Sequence, residues 1–161
     1  MRQFKLALLV FFSIILQTTI LRHISIIGVA PNLLFTIAVC YSIMEEDIVS
    51  VAAMGFACGA VLDIFGMYVF GLSALLCLYI VIACSITEAQ FFKNSLRIAL
   101  MIVFVFSIVY ETLYLFFKLY LWTDMNFLFS VVRVIIPTAM YNTIAAVPMY
   151  FLLKKSVRFE R

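Results

Sequence analysis

The chain has 161 residues, 67% of them hydrophobic and 12% charged, with a formal net charge of +3. That charged share is about half the soluble norm, so a polar coat for a water-soluble domain is excluded. The apolar runs are long and unbroken rather than alternating, which selects membrane-spanning helices over a barrel. The small positive charge is no nucleic-acid signal, and the length fits one domain over 1–161.

The first span runs from about Phe4 to Leu21 and is closed by Arg22 and His23. Its start, Met1-Arg2-Gln3-Phe4-Lys5 before an apolar run, has the form of a signal peptide. No small-x-small cleavage site follows, and more spans do, so it is read as a retained helix. His23 at its end is read as a solvated interface residue. The second span opens at Pro31, which suits a first helical position, and ends near Met44 before Glu45-Glu46-Asp47. At ~1.5 Å per residue it is ~21 Å long, short for a ~30 Å hydrocarbon core. Either it starts earlier, near Ile26, or its neighbours shelter it.

The third span is about Ile48 to Phe65, and Gly66 to Gly71 makes a tight connection to the fourth, about Leu72 to Thr87. Glu88 to Arg97 is the most polar stretch mid-chain. The fifth span is about Leu96 to Tyr120, and Trp122 to Asn126 is a loop with an interfacial aromatic. The sixth is about Phe127 to Leu153, followed by the basic tail from Lys154. The reading is an all-α bundle of about six transmembrane helices, with five as the alternative if the second is re-entrant. With six spans, Arg2, Lys5, Lys93, Arg97, Lys154, Lys155, Arg158 and Arg161 share one side, against Arg22, Lys118 and Arg133 on the other. That bias puts both termini in the cytoplasm.

Ionisable residues inside spans are costly in lipid, so each one is a candidate functional residue. Asp63 in the third span and Glu111 in the fifth sit ~22 Å from the cytoplasmic ends, and Asn142 in the sixth ~16 Å. At matched depth these three buried polar residues can meet, with Arg133 and Lys118 as counter-charges. A structural polar knot between helices is the first reading. An ion, proton or ligand pathway is the second, and an acid/base pair the third. No nucleophile, metal cluster or phosphate-binding motif accompanies them, so no catalytic, metal or cofactor site is assigned. Cys40, Cys58, Cys77 and Cys84 lie in apolar runs without a CxxC and read as small core residues.

Gly55, Gly59 and Asp63 recur every four residues and share one face of the third span, with Gly66 and Gly71 bounding the turn beyond. A face of glycines lets another backbone approach closely. Its partner is either another helix of this chain or a helix of a partner protein. In the sixth span, Pro137 and Pro148 each remove a backbone donor and invite a kink. Tyr141, Asn142 and Thr143 between them are placed to satisfy freed carbonyls. The tail from Lys154 is either an anionic-lipid site or an ordinary stop-transfer flank.

These residues resemble the MreD family of bacterial rod-shape-determining membrane proteins over nearly the whole length. Gly55-x-x-x-Gly59-x-x-x-Asp63-x-x-Gly66, followed by Gly71-Leu72-Ser73-Ala74-Leu75, is similar to the family's glycine-aspartate segment and its Leu-rich helix. Pro31-Asn32-Leu33-Leu34 resembles the head of its second span. Tyr141-Asn142-Thr143 with Pro148 and Leu152-Leu153 resembles its last helix. The resemblance implies a non-enzymatic scaffold of the cell-elongation and peptidoglycan-synthesis machinery in the cytoplasmic membrane. It implies partnership with the single-pass MreC, alongside the actin-like MreB, the glycan polymerase RodA and its transpeptidase. It also implies a fold related to the substrate-binding subunits of energy-coupling-factor transporters. A solute-binding transporter subunit is the alternative function. That class uses small residues four apart in its first helix, and Ala7 followed by Phe11 does not fit. A lipid head-group transferase would use cytoplasmic acidic residues, but Glu45, Glu46 and Asp47 lack the spaced aspartates of that class.

Overall fold

The computed structural model describes residues 2–21, 30–66, 70–91, 96–122 and 131–158. These residues hold six α-helices: α1 (Arg2–Ile15), α2 (Leu33–Met44), α3 (Ile48–Gly66), α4 (Leu72–Phe91), α5 (Leu96–Trp122) and α6 (Ile136–Arg158). α1 continues into a π-helical segment, Leu16–Leu21, and a second one, Val131–Ile135, leads into α6. No strand occurs among the described residues. Three stretches are long and apolar enough to cross a membrane: Ile48–Phe65, Leu96–Phe117 and Arg133–Lys155. Leu6–Thr19, Leu33–Met44 and Leu72–Thr87 are apolar but shorter. His23, Lys93 and the 123–130 connection lie outside the described residues.

The layout follows from α2. Its 12 residues make it ~18 Å long, and its sequence is apolar on every side. Such a helix belongs in an interior. Every residue from Leu33 to Ile43 is buried. The other five helices surround it: α1 packs on α6, α6 on α5, α5 on α4 and α4 on α3, and all five touch α2. Its brevity is thus explained by shelter on all sides. Pro31 stands two places before the first helical position expected for it, outside the helix. Asn32 is the N-cap and Leu33 the first helical residue, because the Asn32 side chain can accept a backbone N–H and Pro31 has nothing to offer one.

The ring helices turn their outer sides to the surroundings: Phe11, Phe56, Tyr79, Met101, Ile144 and Phe151 are all exposed. In lipid this is the stable arrangement, since acyl chains solvate those side chains. The four cysteines are buried and free.

The prolines of α6 act differently from each other. Pro137 lies in the first turn of α6, directly after the π-helical segment, so it falls where the α-helical ladder is only beginning. Pro148 is inside the helix and exposed. The expected rescue of proline-freed carbonyls is not what the neighbouring side chains do. The Thr143 hydroxyl donates to the Ala139 carbonyl at 2.7 Å, its own preceding turn, and Asn142 is engaged with other helices.

Candidate functional site

The face at Gly55, Gly59 and Asp63 is packed on α4 of the same chain. A Cβ at Gly59 would lie 2.5 Å from the Ser73 carbonyl oxygen and 2.6 Å from the Ala74 Cα. Backbone cannot move aside as a side-chain tip can, so only glycine fits. At Gly55 a Cβ would meet the Val81 side chain and, at 3.2 Å, the Cys77 carbonyl oxygen. Two glycines one turn apart therefore set how closely α3 and α4 approach.

That approach delivers Asp63 to the start of α4. Its Oδ1 accepts the Ser73 N–H at 2.9 Å, and its Oδ2 accepts those of Gly71 and Ala74, each at 3.0 Å. The first amides of a helix have no partner within it and carry the positive end of its dipole. A carboxylate from the preceding helix meets both needs. Asp63 is 8% exposed, so its charge is held by these three donors rather than by water. Gly71 has φ of +94°, a left-handed conformation that suits glycine, and its carbonyl accepts the Leu75 N–H at 3.1 Å. Gly66 is the last residue of α3.

A second polar cluster lies at the start of α2. Asn142 Oδ1, from α6, accepts the Asn32 N–H at 2.7 Å, and Asn142 Nδ2 donates to Ser107 Oγ of α5 at 3.2 Å. Asn32 Oδ1 accepts the Phe35 N–H at 3.1 Å. Gln17 Oε1, from the π-helical segment after α1, accepts the Leu34 N–H at 3.3 Å. The Thr36 hydroxyl returns a bond to the Asn32 carbonyl at 2.9 Å. Side chains from the segment after α1, from the N-cap of α2 and from α6 thus serve amides in one turn. Asn142 itself is 0% exposed.

Of the three polar residues expected at matched depth, Asp63 and Asn142 hold separate helix starts. The hydrogen bonds of Asp63 all go to α4, and those of Asn142 go to α2 and α5, with no residue in common. Helix starts explain the split, because each polar side chain is drawn to the nearest unpaired amides. Glu111 is half-buried on α5, one turn beyond Ser107. Its neighbour Tyr110 packs on Phe35 with ring centroids 4.6 Å apart. Arg133 is exposed within the second π-helical segment.

Several contributors carry little local signal. Gln17 and Ser107 are single polar residues in apolar runs, and only the fold makes them partners of α2 and Asn142. Asn32 and Asp47 are legible in hindsight. Asn before an apolar run is an N-cap pattern, and Asp47 caps α3 by accepting from Val49 N–H at 3.3 Å, Ser50 N–H at 3.1 Å and the Ser50 hydroxyl at 2.6 Å.

A family model described as rod shape-determining protein MreD matches residues 1–159. The chain belongs to the MreD family. It is therefore a rod-shape-determining membrane protein. No curated protein and no solved structure matches it. In this MreD-family chain, the glycine-aspartate segment that carried the resemblance is the α3–α4 hairpin, and the Pro-Asn-Leu-Leu segment is the capped start of α2.

Proposed function

We propose that the chain is a non-enzymatic scaffold of the elongation machinery in the bacterial cytoplasmic membrane, with both termini in the cytoplasm. In this reading it binds an MreC-like single-pass protein, and it works alongside MreB, RodA and the RodA-associated transpeptidase. The observation that supports it is how the interior polar groups are used. Among the described residues, no buried side-chain nitrogen or oxygen lacks a hydrogen-bond partner. Asp63 holds the start of α4, and Asn142 ties the start of α2 to Ser107 of α5. Such an interior fixes the shape of the bundle and leaves its exposed apolar flanks as the surface for other membrane helices.

Purification of the tagged native protein in mild detergent, with proteins and small molecules identified together, tests the proposal. The expected result is co-purification of an MreC-like protein. Recovery of a stoichiometric small solute in its place would overturn the scaffold reading. Topology is tested separately on a cysteine-free background. Cysteines placed at Lys93 and after Arg158 should label from the cytoplasmic side, and one at Thr123 from the other. Labelling of Thr123→Cys and the tail from the same side would overturn the orientation.

A further inference from the structure

One end of the bundle is divided in charge. The connection 123–130 is too short, at ~3.5 Å per residue, to run back along the ~40 Å of α5. α6 therefore returns antiparallel to α5, on which it packs. This puts Arg97, in the first turn of α5, at the same end as Lys154 and Lys155, near the end of α6. The Asn32 N–H, at the start of α2, donates to Asn142, early in α6, and Ser42, near the end of α2, meets Cys84, late in α4, so the Glu45-Glu46-Asp47 turn lies at this end too. The acids are already committed there. Asp47 caps α3, and Glu45 accepts from the Tyr41 hydroxyl at 3.1 Å. They stand where α2 passes into α3, and the bases stand on α5 and α6.

The cations are not equivalent. The Lys154 ammonium lies over the Tyr150 ring, 5.6 Å from its centroid, and Tyr150 is buried. That contact holds Lys154 against the bundle. Arg97 and Lys155 are exposed, and neither forms an ion pair among the described residues. Two exposed cations and a third, on the adjoining ends of two packed helices where a bilayer's headgroups lie, complement a phosphate. We propose that Arg97 and Lys155, with Lys154 beside them, hold the phosphate of an anionic phospholipid headgroup at the α5–α6 end of the bundle. The site belongs to the helix pair rather than to the basic tail at large. It is independent of the identity of any protein partner.

Native mass spectrometry of the full chain titrated with phosphatidylglycerol, with phosphatidylcholine as the zwitterionic control, tests it. The native chain should retain phosphatidylglycerol in preference. At about fivefold per cation, Arg97→Gln with Lys155→Gln should weaken that binding roughly 25-fold. Arg158→Gln with Arg161→Gln should weaken it less than about twofold if the tail is not the site. Arg97→Lys with Lys155→Arg, which keeps both charges, should retain it. Thermal unfolding in phosphatidylcholine checks that each variant is folded, and if the double glutamine variant is not, Lys155→Gln alone should show its about fivefold loss. No preference for phosphatidylglycerol, undiminished binding by the glutamine variants, or an equal loss in the tail variant would each overturn the proposal.

Discussion

The start of α4 and the start of α2 present the same problem and solve it from different distances. Both are buried helix starts whose first amides need acceptors. At α4 the acceptor is Asp63, 8 to 11 residues away from the amides it serves, and it bears a charge. At α2 the acceptors are neutral, and two come from far along the chain: Gln17, 17 residues from Leu34, and Asn142, 110 residues from Asn32. A local cap makes the α3–α4 hairpin a unit in its own right. A distant cap makes α2 dependent on the whole bundle.

The largest expected effect breaks the local unit. Gly59→Leu forces a side chain into the Ser73–Ala74 backbone, and overpacking costs about 3 kcal/mol or more where backbone must shift. Abundance and thermal stability of the isolated protein should both fall. Ala57→Leu on the exposed side of α3 should change little. If Gly59→Leu left stability intact and reduced only partner recovery, the face would be serving a partner's helix in the cell.

Next comes Asp63→Ala, which strands three N–H groups at a helix start and should cost about 2–3 kcal/mol in thermal or denaturant unfolding. Asp63→Asn keeps one acceptor oxygen and should lose less. Equal losses for Ala and Asn would mean that the donors are satisfied in some other way.

Asn142→Leu is smaller. It keeps the volume and loses the acceptor for the Asn32 N–H, for about 1–3 kcal/mol. Because the two clusters share no residue, Asp63→Ala and Asn142→Leu should add within about 0.5 kcal/mol. Strong coupling between them would show that the two helix starts are not independent.

The smallest effect is Gln17→Leu, about 1 kcal/mol for one long bond. Combined with Asn142→Leu it should depart from additivity, since the two serve amides two residues apart in the same turn. An additive pair would remove Gln17 from the cluster.

Legibility followed the same division. The glycine spacing, the aspartate one turn beyond and the turn glycine are all contained in 17 residues of sequence, from Gly55 to Gly71. Their geometry needs only one hairpin to appear. The helices were legible from their length and apolarity, and the shortness of the second already pointed to shelter. What sequence could not supply was pairing across the bundle. Matched depth suggested a meeting of Asp63 and Asn142, but depth says nothing about which side of the ring each faces. Gln17 carries no signal at all until α1 is laid against α2. The π-helical segments that hold Gln17 and precede Pro137 likewise have no periodic signature.

The burial of α2 also bears on the order in which the chain is made. A ribosome completes α2 about a hundred residues before it supplies Asn142. During that interval the Asn32 amide faces a membrane with no acceptor from α6, on a helix too short to cross alone. α2 should therefore wait, loosely held beside α1 and α3, until the last helix closes over it. A chain ending before Ile136 and carrying Cys40 as its sole cysteine should leave that thiol open to a membrane-permeant alkylating reagent, whereas in the full chain Cys40 is 0% exposed and should be protected. Completion of α6 should then close the core, and lesions in α6 should show as instability in the middle of the protein.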